Sequence, residues 1–199
     1  EEKNKAMQWI PKPIPETELI DALEQSLGVP QLIAKLLVQR NITSFETAKD
    51  FFRPSLSALH DPFLMKDMEL AVKRIQKAIT AQERIMIYGD YDVDGTTSVA
   101  LLFSYLKTYL DEILCYIPDR YTEGYGISQK GIDTAKEEKI SLIIALDCGI
   151  KAVKCVDYAT DLGIDFIICD HHTPGAQLPA AVAVLDPKRS DCSYPFDEL

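Results

Sequence analysis

Three apolar runs, each leading directly into acidic residues, constrain this chain more than any other feature. Arg84-Ile85-Met86-Ile87-Tyr88 leads to Asp90-Tyr91-Asp92-Val93-Asp94-Gly95, Leu142-Ile143-Ile144-Ala145-Leu146 leads to Asp147, and Ile164-Asp165-Phe166-Ile167-Ile168-Cys169 leads to Asp170-His171-His172. The runs read as strands. The stretches between them have helical character, an alternation that implies parallel strands joined by right-handed crossovers. In an open parallel sheet the carboxyl ends of all strands share one edge, where ligands bind. Asp90, Asp92, Asp94, Asp147 and Asp170, with His171 and His172, are therefore expected around one small volume. Carboxylates that close repel unless cations neutralise them, and Asp oxygens with His nitrogen suit Mn²⁺, Mg²⁺ or Zn²⁺. The chain reads as a metal-dependent enzyme.

The expected fold is α/β, a parallel Rossmann-like sheet with flanking helices over 81–199, preceded by a small helical N-terminal segment over 1–80. In that segment Pro11, Pro13 and Pro15 make an extended lead-in, and helices are expected at 16–27, 31–40, 44–52 with Ser44 as N-cap, and 67–81. Beyond Arg84, strands are expected at 84–88, 113–117, 142–146, 164–169 and 181–185. Helices are expected at 95–110, 128–138 and 150–162.

Composition narrows the class. With 199 residues, 47% of them hydrophobic and 26% charged, the chain suits one sizeable domain or two small ones. No apolar run approaches the length of a membrane span and no signal peptide opens the chain, so a cytoplasmic protein is expected. The five cysteines are odd in number and never spaced Cys-x-x-Cys, which fits reduced thiols; Cys115 and Cys169, inside apolar runs, are expected to be buried. The net charge of −10 argues against a generic nucleic-acid-binding domain, although two bound divalent cations would return positive charge at the site.

Each motif has a plainer reading. Asp90-x-Asp92-x-Asp94-Gly95 matches the opening of a calcium loop, but Leu101 stands where the bidentate Glu is needed, and a strand precedes it. Asp147 could merely cap the next helix. Gly95-Thr96-Thr97-Ser98 is expected to open a helix whose free N–H groups face a phosphate. In Ile117-Pro118-Asp119-Arg120-Tyr121-Thr122-Glu123-Gly124-Tyr125-Gly126, Arg120 suits a phosphate contact and the tyrosines suit base stacking; the alternative is a surface loop with an internal Arg120–Glu123 pair. His60 lacks acidic company of this kind and reads as structural.

Tyr88-Gly89-Asp90-Tyr91-Asp92-Val93-Asp94-Gly95-Thr96-Thr97-Ser98, with Asp147-Cys148-Gly149 and Asp170-His171-His172, resembles the DHH phosphoesterase superfamily. The Ile117–Gly126 loop, the Leu36–Ile42 segment and Asp186-Pro187-Lys188-Arg189 are similar to its RecJ branch, with Asn41 and Asp186 standing where Gly and Asn are expected, both outside the metal cluster. The resemblance implies a 5′→3′ exonuclease digesting single-stranded DNA in repair and recombination with two divalent cations, Mn²⁺ or Mg²⁺. Asp92 with Asp90 would hold one ion, Asp94 with His171 the other, and Asp147 would bridge them. Asp170 would ligate or orient its neighbouring histidines, and His172 and Arg120 would contact phosphate oxygens. Asp170 and His172 are the catalytic candidates, and Thr96, Arg120, Tyr121, Glu123 and Tyr125 the substrate-binding ones. A helicase and a single-strand-binding protein are the partners it suggests. Siblings that cleave short oligonucleotides or cyclic dinucleotides, and a non-catalytic replication scaffold, are the alternatives. The family carries a further acidic motif and a DNA-gripping domain downstream, so the chain is expected to be the N-terminal piece of a longer enzyme.

Overall fold

Five parallel strands in the order β2-β1-β3-β4-β5 form the sheet that carries the acidic residues. They are β1 (Ile85–Gly89), β2 (Ile113–Tyr116), β3 (Leu142–Leu146), β4 (Asp165–Cys169) and β5 (Ala183–Leu185). The structure, a computed structural model, describes residues 9–196. It divides into two compact units, one ending at Leu59 and the other beginning at His60.

In the first unit α1 (Thr17–Leu27), α2 (Gln31–Val38) and α3 (Phe45–Phe52) close around Ile20, Leu23, Ala34, Leu37, Val38, Ile42 and Ala48. Gly28 ends α1 in the left-handed region, and a Ser44–Thr47 capping box opens α3. Asn41 has φ 62°, a left-handed position that favours Gly and tolerates Asn, which accounts for the exchange at that site.

In the second unit α4 (Met68–Thr80), α5 (Val93–Leu106), α6 (Gln129–Glu137) and α7 (Val153–Asp161) flank the sheet. The two-residue period of the strands sorts their side chains between its faces. Met86, Tyr88, Ile143, Ala145, Phe166 and Ile168 pack against Ile132 and Ala135 of α6 and Val156 and Ala159 of α7. Ile85, Ile87, Leu142, Ile144 and Ile167 pack against Ala71 and Ala78 of α4 and Val99 and Leu106 of α5. Both faces are covered, as a parallel sheet requires.

Two helices start where the sequence pattern does not put them. α5 begins at Val93 rather than Gly95, because the Asp92 side chain accepts from the Gly95 N–H at 2.9 Å and serves as N-cap. α7 begins at Val153 rather than Ile150, because residues 147–150 are spent on a turn with positive φ at Asp147 and Gly149. Cys115 is exposed rather than buried, since β2 is an edge strand, and Cys169 is only half-buried.

Candidate metal centre

The register of the sheet builds the site. Gly89 pairs with Leu146, Leu146 with Cys169, and Cys169 with Leu185, so four strands end level with one another. The next residue in each case is an aspartate: Asp90, Asp147, Asp170 and Asp186. Neighbouring strands lie about 4.8 Å apart, so the four carboxylates form a row along the carboxyl edge. In the order 2-1-3-4-5 the strand order reverses between β1 and β3, the switch point where such sheets bind ligands. Asp90 and Asp147 stand on either side of it.

Close backbone approach holds the Asp90 turn in place. A Cβ on Gly95 would lie 2.4 Å from the Asp90 carbonyl oxygen and 2.6 Å from its nitrogen. Only glycine lets the first turn of α5 rest on the end of β1, and that seating carries Asp92 and Asp94 toward the row. Asp92 lies near enough to Asp147 for its charge to act on that carboxyl. The Gly95 N–H holds the Asp92 carboxyl below the usual range. Burial, and then the Asp92 charge, push Asp147 up. Asp94 lines a cavity of about 430 Å³ together with Asp147, Asp170 and His171.

The donor set fits divalent cations. Asp90 is fully buried, with Oδ1 accepting from the Tyr91 N–H at 2.6 Å; its Oδ2, like Oδ2 of Asp147, is buried without a hydrogen-bond partner. Two orphaned carboxylate oxygens flanking a switch point are costly unless something positive faces them. Asp147 carries backbone strain as well, with φ 61°. His171 Nε2 lies 2.9 Å from Asp147 Oδ1, and one ligating atom from each of Asp147, His171 and His172 falls within 4.8 Å of the others. Oxygen donors with imidazole nitrogen match Mn²⁺, Mg²⁺ or Zn²⁺.

Asp170 has a different task. Its Oδ2 accepts from the buried Ile150 N–H at 2.9 Å, and its Oδ1 accepts from the His171 and His172 N–H groups and from His172 Nδ1 at 2.7 Å. Burial alone would raise its carboxyl, but these hydrogen bonds outweigh it and hold the group low. Both oxygens are used in orienting the histidines and the turn after β3. With Nδ1 tied to Asp170, His172 turns Nε2 outward to the Tyr125 hydroxyl at 3.3 Å.

The loop after β2 reaches the same edge, and its residues divide by role. Arg120 lies over the Tyr91 ring at 4.3 Å, and Tyr125 meets both Tyr91 and His172 edge-to-face. Burial, followed by the charges of Asp90, Asp147, Asp170 and Asp92, pushes the Tyr125 phenol up. Tyr121 is 92% exposed. Glu123 turns inward instead: its carboxylate accepts from Ser128 Oγ at 2.6 Å, Tyr116 OH at 2.7 Å and the Asp119 N–H at 3.0 Å, and pairs with Lys130 rather than Arg120. Thr96 donates its hydroxyl to the Asp92 carbonyl one turn back, and the Gly95 N–H is capped by Asp92, so the N–H groups expected to face a phosphate are not all free. His60 stacks edge-on with Tyr194.

Two residues of the edge carry no mark in the sequence pattern above. Asp186, set apart from the metal cluster by the resemblance, ends β5 in the same row as Asp170, fully buried and with Oδ2 unpartnered. The available signal is the short apolar run Ala183-Val184-Leu185, which precedes Asp186 as the longer runs precede Asp90, Asp147 and Asp170. Tyr91, between two of the acids, is the other; nothing in its spacing marks it as the ring beneath Arg120.

The chain is similar to known proteins. Residues 84–194 match the DHH family, N-terminal domain. The chain is 43% identical over 185 residues to the single-stranded-DNA-specific exonuclease RecJ of Bacillus subtilis, covering 93% of this chain and 24% of that protein. It is 34% identical over 183 residues to the RecJ of Escherichia coli, covering 92% and 31%. A crystal structure of exonuclease RecJ bound to manganese superposes with a TM-score of 0.61 at 30% identity, over 67% of this chain and 34% of that one. RecJ from Thermus thermophilus, in complex with Mn²⁺, shares the fold with a TM-score of 0.66 at 24% identity, over 91% and 25%. The chain thus spans about a quarter to a third of the length of these relatives. With the matched residues carrying every strand and the whole acidic edge, the chain belongs to the DHH family.

Proposed function

We propose that this chain carries the metal-binding part of an exonuclease that hydrolyses phosphodiester bonds of single-stranded DNA from the 5′ end. The observation that carries the reading is the pair of orphaned oxygens on Asp90 and Asp147, flanking the switch point beside His171. Asp90, Asp92, Asp94, Asp147 and His171 would hold two divalent cations, Mn²⁺ or Mg²⁺, the ions named with the related structures. Such a pair supplies Lewis-acid charge and an activated water for in-line attack on phosphorus. The remaining work belongs to the chain's own side chains. Asp170 fixes the His172 ring so that Nε2 faces outward, accepting from the Tyr125 hydroxyl in the neutral ring and able to donate to a phosphate oxygen as the imidazolium. Arg120, stacked on Tyr91, offers a planar fork to a phosphate, and the exposed Tyr121 offers a ring to a base. The bound cations would offset the −10 charge where the polyanion arrives.

The same reading assigns a role in DNA repair and recombination, in the cytoplasm, with a helicase and a single-strand-binding protein as partners. Among the described residues no helix is long and apolar enough to cross a membrane. The test is digestion of 5′-labelled DNA by the full-length protein with Mn²⁺. Labelled mononucleotide should leave single strands and not duplex, and a chelator should stop it. Equal digestion of duplex, or no release at all, would sink the reading.

A further inference from the structure

The loop that carries Arg120 and Tyr125 is held from beneath by two strand-end tyrosines. Tyr88 of β1 and Tyr116 of β2 are register partners, and their rings stack with centroids 5.1 Å apart. Tyr116 donates its hydroxyl to Glu123 at 2.7 Å. Tyr88, fully buried, donates to the Gly126 carbonyl at 3.0 Å and accepts from the Ser128 N–H at 3.1 Å. Burial pushes the Tyr88 phenol up, so the donated proton stays on its oxygen. Glu123 also accepts from Ser128 Oγ at 2.6 Å, which ties the two anchors together.

Glu123 and Gly126 are thus both fixed, and Gly124 and Tyr125 bridge them. Gly124 and Gly126 have φ of 82° and 81°, and a Cβ on either would meet nothing within 4 Å. Backbone of that kind is permissive, so hydrogen bonds rather than packing decide where Tyr125 sits. Its hydroxyl lies 3.3 Å from His172 Nε2, and its ring meets Tyr91, the ring beneath Arg120, edge-to-face. α6 makes room for this arrangement against its own helical preference. Gly131 stands inside the helix, and a Cβ there would lie 2.6 Å from the Tyr88 ring. Tyr88 also precedes Asp90 by two residues, on a strand whose five residues are all buried. One rigid segment therefore sets both the first aspartate of the row and the height of the loop.

We propose that the Tyr88 hydroxyl is a positioning group for the nuclease, holding the loop after β2 so that Arg120 and Tyr125 stay over Tyr91 and His172. The inference rests on the nuclease reading and adds to it a residue that touches neither the cations nor the DNA. Tyr88 has no exposed surface, so its effect must pass through the Gly126 carbonyl and the Ser128 N–H. Its ring fills the core beside Ile132 and Ala135, and only the hydroxyl reaches the loop. Phenylalanine would keep the packing and lose the latch. The two backbone groups left unmatched would then find other partners by moving the loop, since the sheet beneath is held by its own ladders.

The test is Tyr88→Phe in the full-length protein. Hydrogen exchange read by mass spectrometry, which needs no turnover, should quicken over residues 117–128 and stay unchanged over β1 and β3. Digestion of single-stranded DNA with Mn²⁺ should show KM raised about fivefold, the worth of one or two hydrogen bonds, with kcat and Mn²⁺ affinity within about twofold of the unaltered protein. Gly131→Ala, which presses on the same ring from α6, should reproduce that pattern even though alanine favours the helix. Unchanged exchange over 117–128 in Tyr88→Phe overturns the proposal. So does a loss of kcat or of Mn²⁺ affinity as large as the change in KM, the mark of general damage to the site. Failure of the unaltered protein to digest DNA counts against the nuclease reading alone, and the exchange result still decides whether Tyr88 holds the loop.

Discussion

His171 Nε2 lies 2.9 Å from Asp147 Oδ1, although the two residues follow different strands. β3 and β4 end in register, and that register brings a carboxylate and an imidazole to one point of the sheet edge. Losing either the charge or the ring should remove the same site. In the full-length protein Asp147→Asn or Asp92→Asn should cost at least about a hundredfold in the rate of single-strand digestion, because a lost ligand withdraws charge stabilisation from the transition state. Nuclease assays with Mn²⁺, paired with thermal melts, check this; near-normal turnover in either variant would remove these residues from the site.

Gly95→Ala should act on the site through packing. Its Cβ would meet the Asp90 backbone at 2.4 Å, an overlap that backbone atoms cannot relieve by rotating a side chain. The first turn of α5 must lift away, carrying Asp92 with it. A loss of about 1–3 kcal/mol in stability is expected, as for overpacking elsewhere, together with weakened Mn²⁺ binding. Urea denaturation and Mn²⁺ titration read the two effects separately.

Asp186→Asn should stabilise the fold at neutral pH. Burial, and then the Asp170 charge, raise the Asp186 carboxyl above its ordinary 3.8. A group raised in the folded state costs stability once the pH passes its unfolded value, and the cost is complete above the folded one. Asn removes the charge and should lift the melting temperature by about 2–4 °C at pH 7, with the gain vanishing near pH 3. A gain of equal size at both pH values would show that charge is not the cause.

Glu123 titrates in the opposite sense. Burial would raise it, but the hydrogen bonds from Ser128, the Asp119 N–H and Tyr116 prevail and hold it at about 2, against an ordinary 4.5. Its contribution is present above pH 4.5 and is lost as the pH falls toward 2. Glu123→Gln should therefore destabilise the protein by about 2 kcal/mol at pH 7 and by roughly half that or less at pH 3. The accompanying change should be a loosened Tyr116 hydroxyl, seen as a change in the NMR signal of that ring. Melting curves of both proteins across this range provide the check.

The strands are legible in the sequence because β1 and β3 are uninterrupted apolar runs and β4 is one broken only by Asp165 at its start, and the acids after them mark the edge. Three things are not. The level alignment of the strand ends, which adds Asp186 to the row, depends on pairing between segments distant in sequence. The inward turn of Glu123 depends on Tyr116 and Ser128 meeting across the loop, which no local pattern announces. The start of α5 is hidden because Asp92 has two uses, a candidate ligand that also caps the helix, and the spacing makes only the ligand apparent.

The most direct test of the central claim is electron paramagnetic resonance of the full-length protein loaded with Mn²⁺. Two ions sharing Asp147 would lie about 3.5–4 Å apart and give the spectrum of an exchange-coupled pair. That spectrum should collapse to weakly bound single ions in Asp147→Asn. A six-line spectrum of isolated Mn²⁺ in the unaltered protein at saturation, or a coupled pair that survives Asp147→Asn, would contradict the account.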